Sequence, residues 1–228
     1  MMRSQNFYTY AFLKNPNFDL NLPKGNTAQI TLINGVNLSA IVEYGISPET
    51  YQNNDEQVIK MVLAHDRVIR ELFCQTTILP LRFGTHFNSH EILLNHMDDH
   101  AGEYLEKLVS IKDKHEYTLK LVPQVLAEPT KLTVGGGRDY FLAKKQQYEI
   151  QKSFSLEQNE EKNQFIDYIT EIYQSSVIVQ PQAEEVRLYF LVNTDEQAAL
   201  LAQFSAWQKA CPHWNLILGE PLPPYHFV

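Results

Sequence analysis

The feature that most narrows the fold is the order of strand and helix signals after residue 113. Tyr117–Val122 alternates Tyr117, Leu119 and Leu121 with Thr118 and Lys120, a period of two that predicts a strand. A helical pattern follows from Arg138 to Tyr173. Its middle, Glu157–Gln164, is almost wholly polar and is predicted to be solvated, bent or frayed. Val177–Gln180 and Val186–Asn193 read as strands around a Pro-Gln turn. Asp195 reads as the cap of a helix running to Ala210, with Leu200, Phe204 and Trp207 on one face. Trp214–Leu218 reads as a last strand. The order is β-α-β-β-α-β, the ferredoxin-like pattern. The tail Gly219–Val228 carries three prolines and cannot be a central strand.

The first half gives a second set of mixed elements. Phe7–Leu13, rich in aromatics, predicts a strand, and residues 14–26 a loop with Asn, Pro and Gly. Ala28–Ile33 and Leu38–Tyr44 predict a hairpin, because Asn34-Gly35 tolerates the positive φ of a tight turn. Asp55 reads as a helix cap, with Val58, Val62, His65, Ile69, Leu72 and Phe73 at helical spacing up to Thr76. Ile78–Leu81 is short and β-like. Ser89 opens a further helix with a stripe of Leu93, Met97, Ala101, Tyr104, Leu105 and Leu108, closed by a turn at Lys112–Lys114. The expected fold class is therefore α+β in two domains. Residues 1–112 form an N-terminal α+β domain, 113–218 a ferredoxin-like domain, and 219–228 a Pro-rich tail.

Composition removes several functions. A hydrophobic share of 44% over 228 residues supports a buried core. The net charge of −8 and the absence of a basic run argue against nucleic-acid partners and against an anionic membrane surface. No stretch approaches the roughly 18 apolar residues of a membrane span. The N-terminus lacks the apolar core of a signal peptide. Cys74 and Cys211 form no C-x-x-C pattern and read as reduced thiols of a cytoplasmic protein.

Candidate chemistry is sparse. His86 with His90, and His96 with His100, are spaced four apart, as helical metal ligands can be, but no H-E-x-x-H spacing occurs. A small-ligand or metal-binding enzyme using the His86–His100 region is the alternative function. A polar helix face is the simpler reading, and no metal or cofactor is expected. His65, on an apolar stripe, reads as a hydrogen-bonded core histidine. Gly135-Gly136-Gly137 ahead of a helix matches neither the dinucleotide fingerprint nor the P-loop and reads as an interdomain loop. The strand Val186–Val192 offers Tyr189 and Phe190 but not the glycine spacing of an RNA-recognition strand. No nucleophile elbow is present.

The segment LPLRFGTHF, Leu79–Phe87, looks like a site but reads physically as a joint. Pro80 stops a helix, Gly84 permits a bend, and Arg82 is expected to be buried against a carboxylate. Pro80, Arg82 and Gly84 are thus the expected structural anchors. Tyr225 and Phe227, two apart in an extended tail, are expected to pack back on the protein or to meet a partner.

The run AHDRVIRELFCQTTILPLRFGTHFNSHEILLNHM resembles the gas vesicle protein F/L family, through His65, Val68, Leu79, Pro80, Leu81, Arg82, Phe83, Gly84, Thr85 and Phe87. Gly137–Leu142, with Lys144 and Lys145, is similar to the start of that family's long helix, Gly219–Val228 to its Gly-Pro-x-Pro-Pro-Tyr-x-Phe ending, and Tyr8-Thr9-Tyr10 to its opening strand. Glu220 departs from the family's usual Pro after Gly219. The resemblance implies two α+β domains, the second ferredoxin-like. It implies a minor or accessory, non-enzymatic protein of the gas vesicle, within the cytoplasm. Such a protein acts by protein–protein binding in nucleation or assembly. Its expected partners are the main hydrophobic shell protein, whose aggregation it limits, and other accessory proteins. The resemblance carries over no catalytic residue.

Overall fold

The computed structural model describes residues 6–46, 54–126, 137–174, 177–182 and 185–228. The chain forms two compact units: unit 1 is Met1–Glu116 with Pro221–Val228, and unit 2 is Tyr117–Glu220. The last eight residues thus belong with the first unit rather than forming a separate tail.

Unit 1 is a five-stranded sheet between helices. Strands β1 (Phe7–Lys14), β2 (Ile30–Asn34), β3 (Leu38–Tyr44) and β4 (Leu79–Pro80) lie in the order β2-β3-β1-β4, and β5 (His86–Phe87) also pairs with β1. In β1 every residue but Lys14 is buried, so both faces are covered. A bulge between Thr9 and Ala11 shifts the register against β3. The extra residue puts Tyr8, Tyr10, Ala11 and Leu13 into one core with Met61, Val68, Ile69 and Leu72 of helix α1 (Asp55–Phe73). Phe12, off that pattern, stacks on Tyr104, which lies in the helix pair α2 (His90–Asp99) and α3 (Ala101–Ser110).

Several local expectations shift. The α1 cap is Asn54, whose side chain accepts from the Glu56 and Gln57 N–H groups; Asp55 is the first helical residue. Met61 and Val68 are buried, while Val62 is 41% exposed, so the apolar stripe lies to one side of the expected one. The single helix expected after Ser89 is two helices, broken where His100 adopts φ −106°, ψ 8°. The β2–β3 hairpin forms, but among the described residues Gly35 is not one of the glycines with positive φ. Space there is tight: a Cβ would lie 3.1 Å from the Leu38 carbonyl oxygen and 3.2 Å from Met97 Cε, so a side chain would require these neighbours to give by a few tenths of an ångström.

Unit 2 is a four-stranded sheet in the order β7-β8-β6-β9, built from β6 (Lys114–Pro123, which enters unit 2 at Tyr117), α4 (Gly137–Tyr173), β7 (Val177–Gln182), β8 (Glu185–Asn193), α5 (Gln197–Ala210) and β9 (Trp214–Leu218). The chain order is β-α-β-β-α-β. Its core joins Tyr117, Leu119 and Leu121 with Phe165 and Ile169, alternate residues of β8, Leu200 and Trp207, and Trp214 and Leu216. Strand β7 runs through Pro181, which pairs with Val186, so the Pro-Gln dipeptide lies in the strand and not in a turn. Asp195 sits in a 3-10 turn, Thr194–Glu196, ahead of α5. Gly135 and Gly136 lie outside the described residues.

Helix α4 is continuous for 37 residues. Its polar middle is bonded rather than frayed. Gln158 Nε2 donates to the Gln124 and His213 carbonyls, the Gln158 carbonyl accepts from Trp214 Nε1, and Glu161 accepts from His213 N and Nδ1. Its first half is different. Tyr140, Phe141, Leu142, Tyr148, Ile150 and Leu156 are each more than half exposed.

Candidate functional site

The segment Leu79–Phe87 runs beside β1 as its outer neighbour. Leu79 and Pro80 pair with Phe12 and Ala11, and His86 and Phe87 pair with Tyr8 and Phe7. Between them Thr85 N–H closes onto the Arg82 carbonyl at 3.1 Å, and Gly84 takes φ +86°. A positive φ at the third residue is the signature of a type II turn, where a side chain would be strained. Thr85 Oγ1 donates to the same carbonyl at 2.7 Å. Pro80 is buried in the strand pairing.

Arg82 departs from the expectation of a buried ion pair. Its side chain is exposed, and among the described residues it pairs with no carboxylate. What the turn uses, among the described residues, is the Arg82 carbonyl, which accepts from both Thr85 N–H and Thr85 Oγ1.

Under this turn sits an aromatic and histidine cluster. His65 Nε2 lies 3.0 Å from the Leu81 carbonyl and Nδ1 lies 2.8 Å from the Tyr8 hydroxyl. A carbonyl only accepts, so Nε2 carries the proton and the Tyr8 hydroxyl donates to Nδ1. Burial lowers the His65 pKa from 6.5, in keeping with that neutral tautomer. Tyr10 stacks on His65 at 5.2 Å, and Phe83 meets it edge-on at 5.8 Å.

Tyr10 leads to a buried carboxylate absent from the sequence expectations. Glu43, fully buried, accepts from the Tyr10 hydroxyl at 2.6 Å and from the N–H groups of Asn26, Thr27 and Ala28. Burial alone would raise its pKa; the Tyr10 and backbone donors outweigh burial and hold it below 4.5. Burial, and then the Glu43 bond, push the Tyr10 hydroxyl strongly up. This carboxylate receives donors on all sides and fixes the 24–28 loop. The hint in sequence is a glutamate inside a strand whose preceding residues Ala40, Ile41 and Val42 are apolar.

The last residues close onto the same unit. Leu222 and Glu116 exchange both backbone hydrogen bonds at 2.9 Å. The buried Glu116 carboxylate accepts from His226 N and Nδ1, at 2.8 and 2.7 Å. The Tyr225 hydroxyl donates to Asp66 at 2.5 Å, and its ring packs against the unit 1 core. Phe227 does not follow Tyr225 in an extended strand: its N–H closes a turn onto the Pro224 carbonyl, and it is half-buried.

The histidines expected as metal ligands are used locally. His96 Nε2 bonds the Tyr104 hydroxyl at 2.9 Å, His100 Nδ1 bonds the His96 carbonyl at 2.9 Å, and His90 lies against Phe7. Among the described residues no three His, Cys, Asp or Glu side chains converge as a metal set. Cys74 is exposed and Cys211 buried, and both are free thiols.

The fold defines a mixed α+β protein with antiparallel sheets, and local polar anchors hold the joint and the chain end within unit 1. The family described as gas vesicle synthesis protein GvpL/GvpF matches residues 6–228, and the chain belongs to that family. It is 28% identical over 186 residues to gas vesicle protein F of Streptomyces sp. (strain CB03234), covering 73% of this chain and 76% of that protein. In fold it resembles the crystal structure of GvpF from Anabaena sp. PCC7120, with a TM-score of 0.71 at 15% identity over 98% of this chain and 96% of that one. GvpF from Microcystis aeruginosa is similar, with a TM-score of 0.70 at 13% identity over 97% and 98% of the two chains. Family membership supports a role in gas vesicle assembly. Among the described residues no helix is long and apolar enough to cross a membrane.

Proposed function

We propose that this protein is a non-enzymatic accessory or minor component of the gas vesicle, within the cytoplasm, that works in nucleation or assembly by binding other vesicle proteins. Its principal partner in this reading is the hydrophobic shell protein, whose aggregation it limits; the other accessory proteins are further partners. The observation that carries the reading is the first half of α4. Tyr140, Phe141, Leu142, Tyr148, Ile150 and Leu156 stand exposed on a chain of net charge −8. Apolar side chains there can cover a sticky partner while the charge of the whole keeps the complex dispersed. In the same reading Pro80 and Gly84 anchor the joint through backbone geometry, Arg82 anchors it through its carbonyl, and Tyr225 and Phe227 hold the chain end.

The test uses purified shell protein diluted from denaturant, followed by light scattering with and without this protein. The expected result is delayed scattering and co-purification from native extracts. Replacing Phe141, Leu142 and Tyr148 together by Ser is expected to shorten the delay with an unchanged circular dichroism spectrum. If the unsubstituted protein neither co-purifies nor delays scattering, shell-protein binding is wrong.

A further inference from the structure

In unit 2 one side chain completes a strand's hydrogen bonding where no strand is present. Among the described residues strand β9 pairs with β6 alone and forms one edge of its sheet. Gly219 N–H donates to the Thr118 carbonyl at 2.8 Å, and Gln124 N–H to the His213 carbonyl at 2.9 Å. In an antiparallel ladder these contacts alternate, so Asn215 and Ile217 also face β6 while Trp214, Leu216 and Leu218 turn their N–H and C=O groups outward. Gln208 of α5 reaches that outer row. Its Nε2 donates to the Trp214 carbonyl at 2.8 Å, and its Oε1 accepts from Leu216 N–H at 2.8 Å. A carboxamide carries a donor and an acceptor in one plane, as a peptide group does. Gln208 therefore supplies the donor and the acceptor that one residue of a parallel neighbour would offer to the Trp214 carbonyl and the Leu216 N–H, and so occupies that part of the edge without a strand.

Beyond Gln208 the row is open. Among the described residues nothing bonds the Leu216 carbonyl or the Leu218 N–H. The strand Trp-Asn-Leu-Ile-Leu has neither a charge nor a proline, the usual guards of an exposed edge. The opposite edge of the sheet, β7, carries Pro181 and so lacks one donor. Most of the surface of a chain with charge −8 repels a second copy. The β9 edge is uncharged, and a two-fold axis would present to it the same alternating donors and acceptors.

We infer that the outer edge of β9 is a self-pairing surface: the β9 of a second copy docks antiparallel to it, with Leu216 of each copy facing Leu218 of the other, and Gln208 gates the edge. The gate acts by competition, because Leu216 N–H cannot serve both Gln208 and the incoming strand. This inference is independent of shell-protein binding.

The test is sedimentation velocity over a hundredfold range of concentration. Gln208→Met keeps the length of the side chain and removes both hydrogen bonds; it is expected to tighten self-association at least tenfold. Adding Leu218→Pro, which deletes an outward donor that a sheet edge can spare, is expected to return the variant to monomer. In the unsubstituted protein the Leu218 amide is expected to exchange with deuterium more slowly as concentration rises. The inference is overturned if Gln208→Met, with an unchanged melting temperature, sediments like the unsubstituted protein. Association that survives Leu218→Pro, or Leu218 exchange that is independent of concentration, also overturns it.

Discussion

The two units solve the same problem with different chemistry. Among the described residues, the buried polar side chains Thr9, Ser39, Glu43, His65 and Glu116 all lie in unit 1. The core of unit 2 is made of apolar side chains and Cys211, and its polar anchors, Gln158, Glu161 and Gln208, are only partly buried. A buried polar group specifies its partners and is costly when one is removed; an apolar core depends on volume. The geometry of unit 1 is therefore set by a few irreplaceable donors and acceptors, and that of unit 2 by packing.

The largest effect tests this difference directly. Glu43→Ala strands the Tyr10 hydroxyl and three backbone N–H groups, and is expected to cost unit 1 about 3–5 kcal/mol. Leu188→Ala, in the centre of the unit 2 core, is expected to cost about 3 kcal/mol through its cavity. The protein's two tryptophans, Trp207 and Trp214, both lie in unit 2, so their fluorescence reports that unit. Under urea, Glu43→Ala is expected to move the circular dichroism transition ahead of the fluorescence transition, and Leu188→Ala to move fluorescence. Equal shifts of both signals for both variants would remove the distinction.

A second prediction turns on pH. Burial lowers the pKa of His65, His96 and His115, all in unit 1, below 6.5. The unfolded chain then binds protons first, so their contribution is complete above pH 6.5 and is lost as pH falls toward the lowered folded values. Glu43, also lowered, adds a further loss below pH 4.5. Glu116 has the opposite sign: burial raises it, and the stability it contributes is present below pH 4.5 and is lost as pH rises through its folded value. The expected outcome is a unit 1 melting temperature that falls between pH 6.5 and 5. His65→Gln, which cannot titrate but can still bond Tyr8 and Leu81, should make that fall shallower. An unchanged slope would show that neutral, buried His65 is not a source of it.

What the sequence made legible was local. Period and turn chemistry placed the β2–β3 hairpin, the Ser89 cap and the strand-helix order of unit 2, because neighbours in sequence decide those features. Glu43 stayed hidden because its partners Asn26, Thr27 and Ala28 belong to a loop that closes only after β2 and β3 pair, and Tyr10 lies on another strand. The bulge beside Tyr10 carries no glycine to announce it. The middle of α4 looked solvated since composition cannot tell a polar residue facing water from one facing His213. The chain end finds Asp66 and Glu116 across separations of 159 and 110 residues, which no local pattern encodes.

The smallest effect sharpens the comparison at the joint itself. Gly84 at φ +86° is held in a conformation that a side chain resists, so Gly84→Ala is expected to cost about 1–2 kcal/mol by urea unfolding. Two residues earlier, Arg82→Ala removes an exposed side chain that has no ion pair among the described residues and leaves its carbonyl in place, so the expected change is within about 0.5 kcal/mol. A loss of several kcal/mol would restore a buried pair for Arg82. An unchanged melt leaves the side chain available for a partner, and the shell-protein scattering assay then decides whether it is used. Arg82→Ala that melts normally but delays scattering less would make the arginine a contact residue, standing on a turn that Gly84 and Thr85 hold in place.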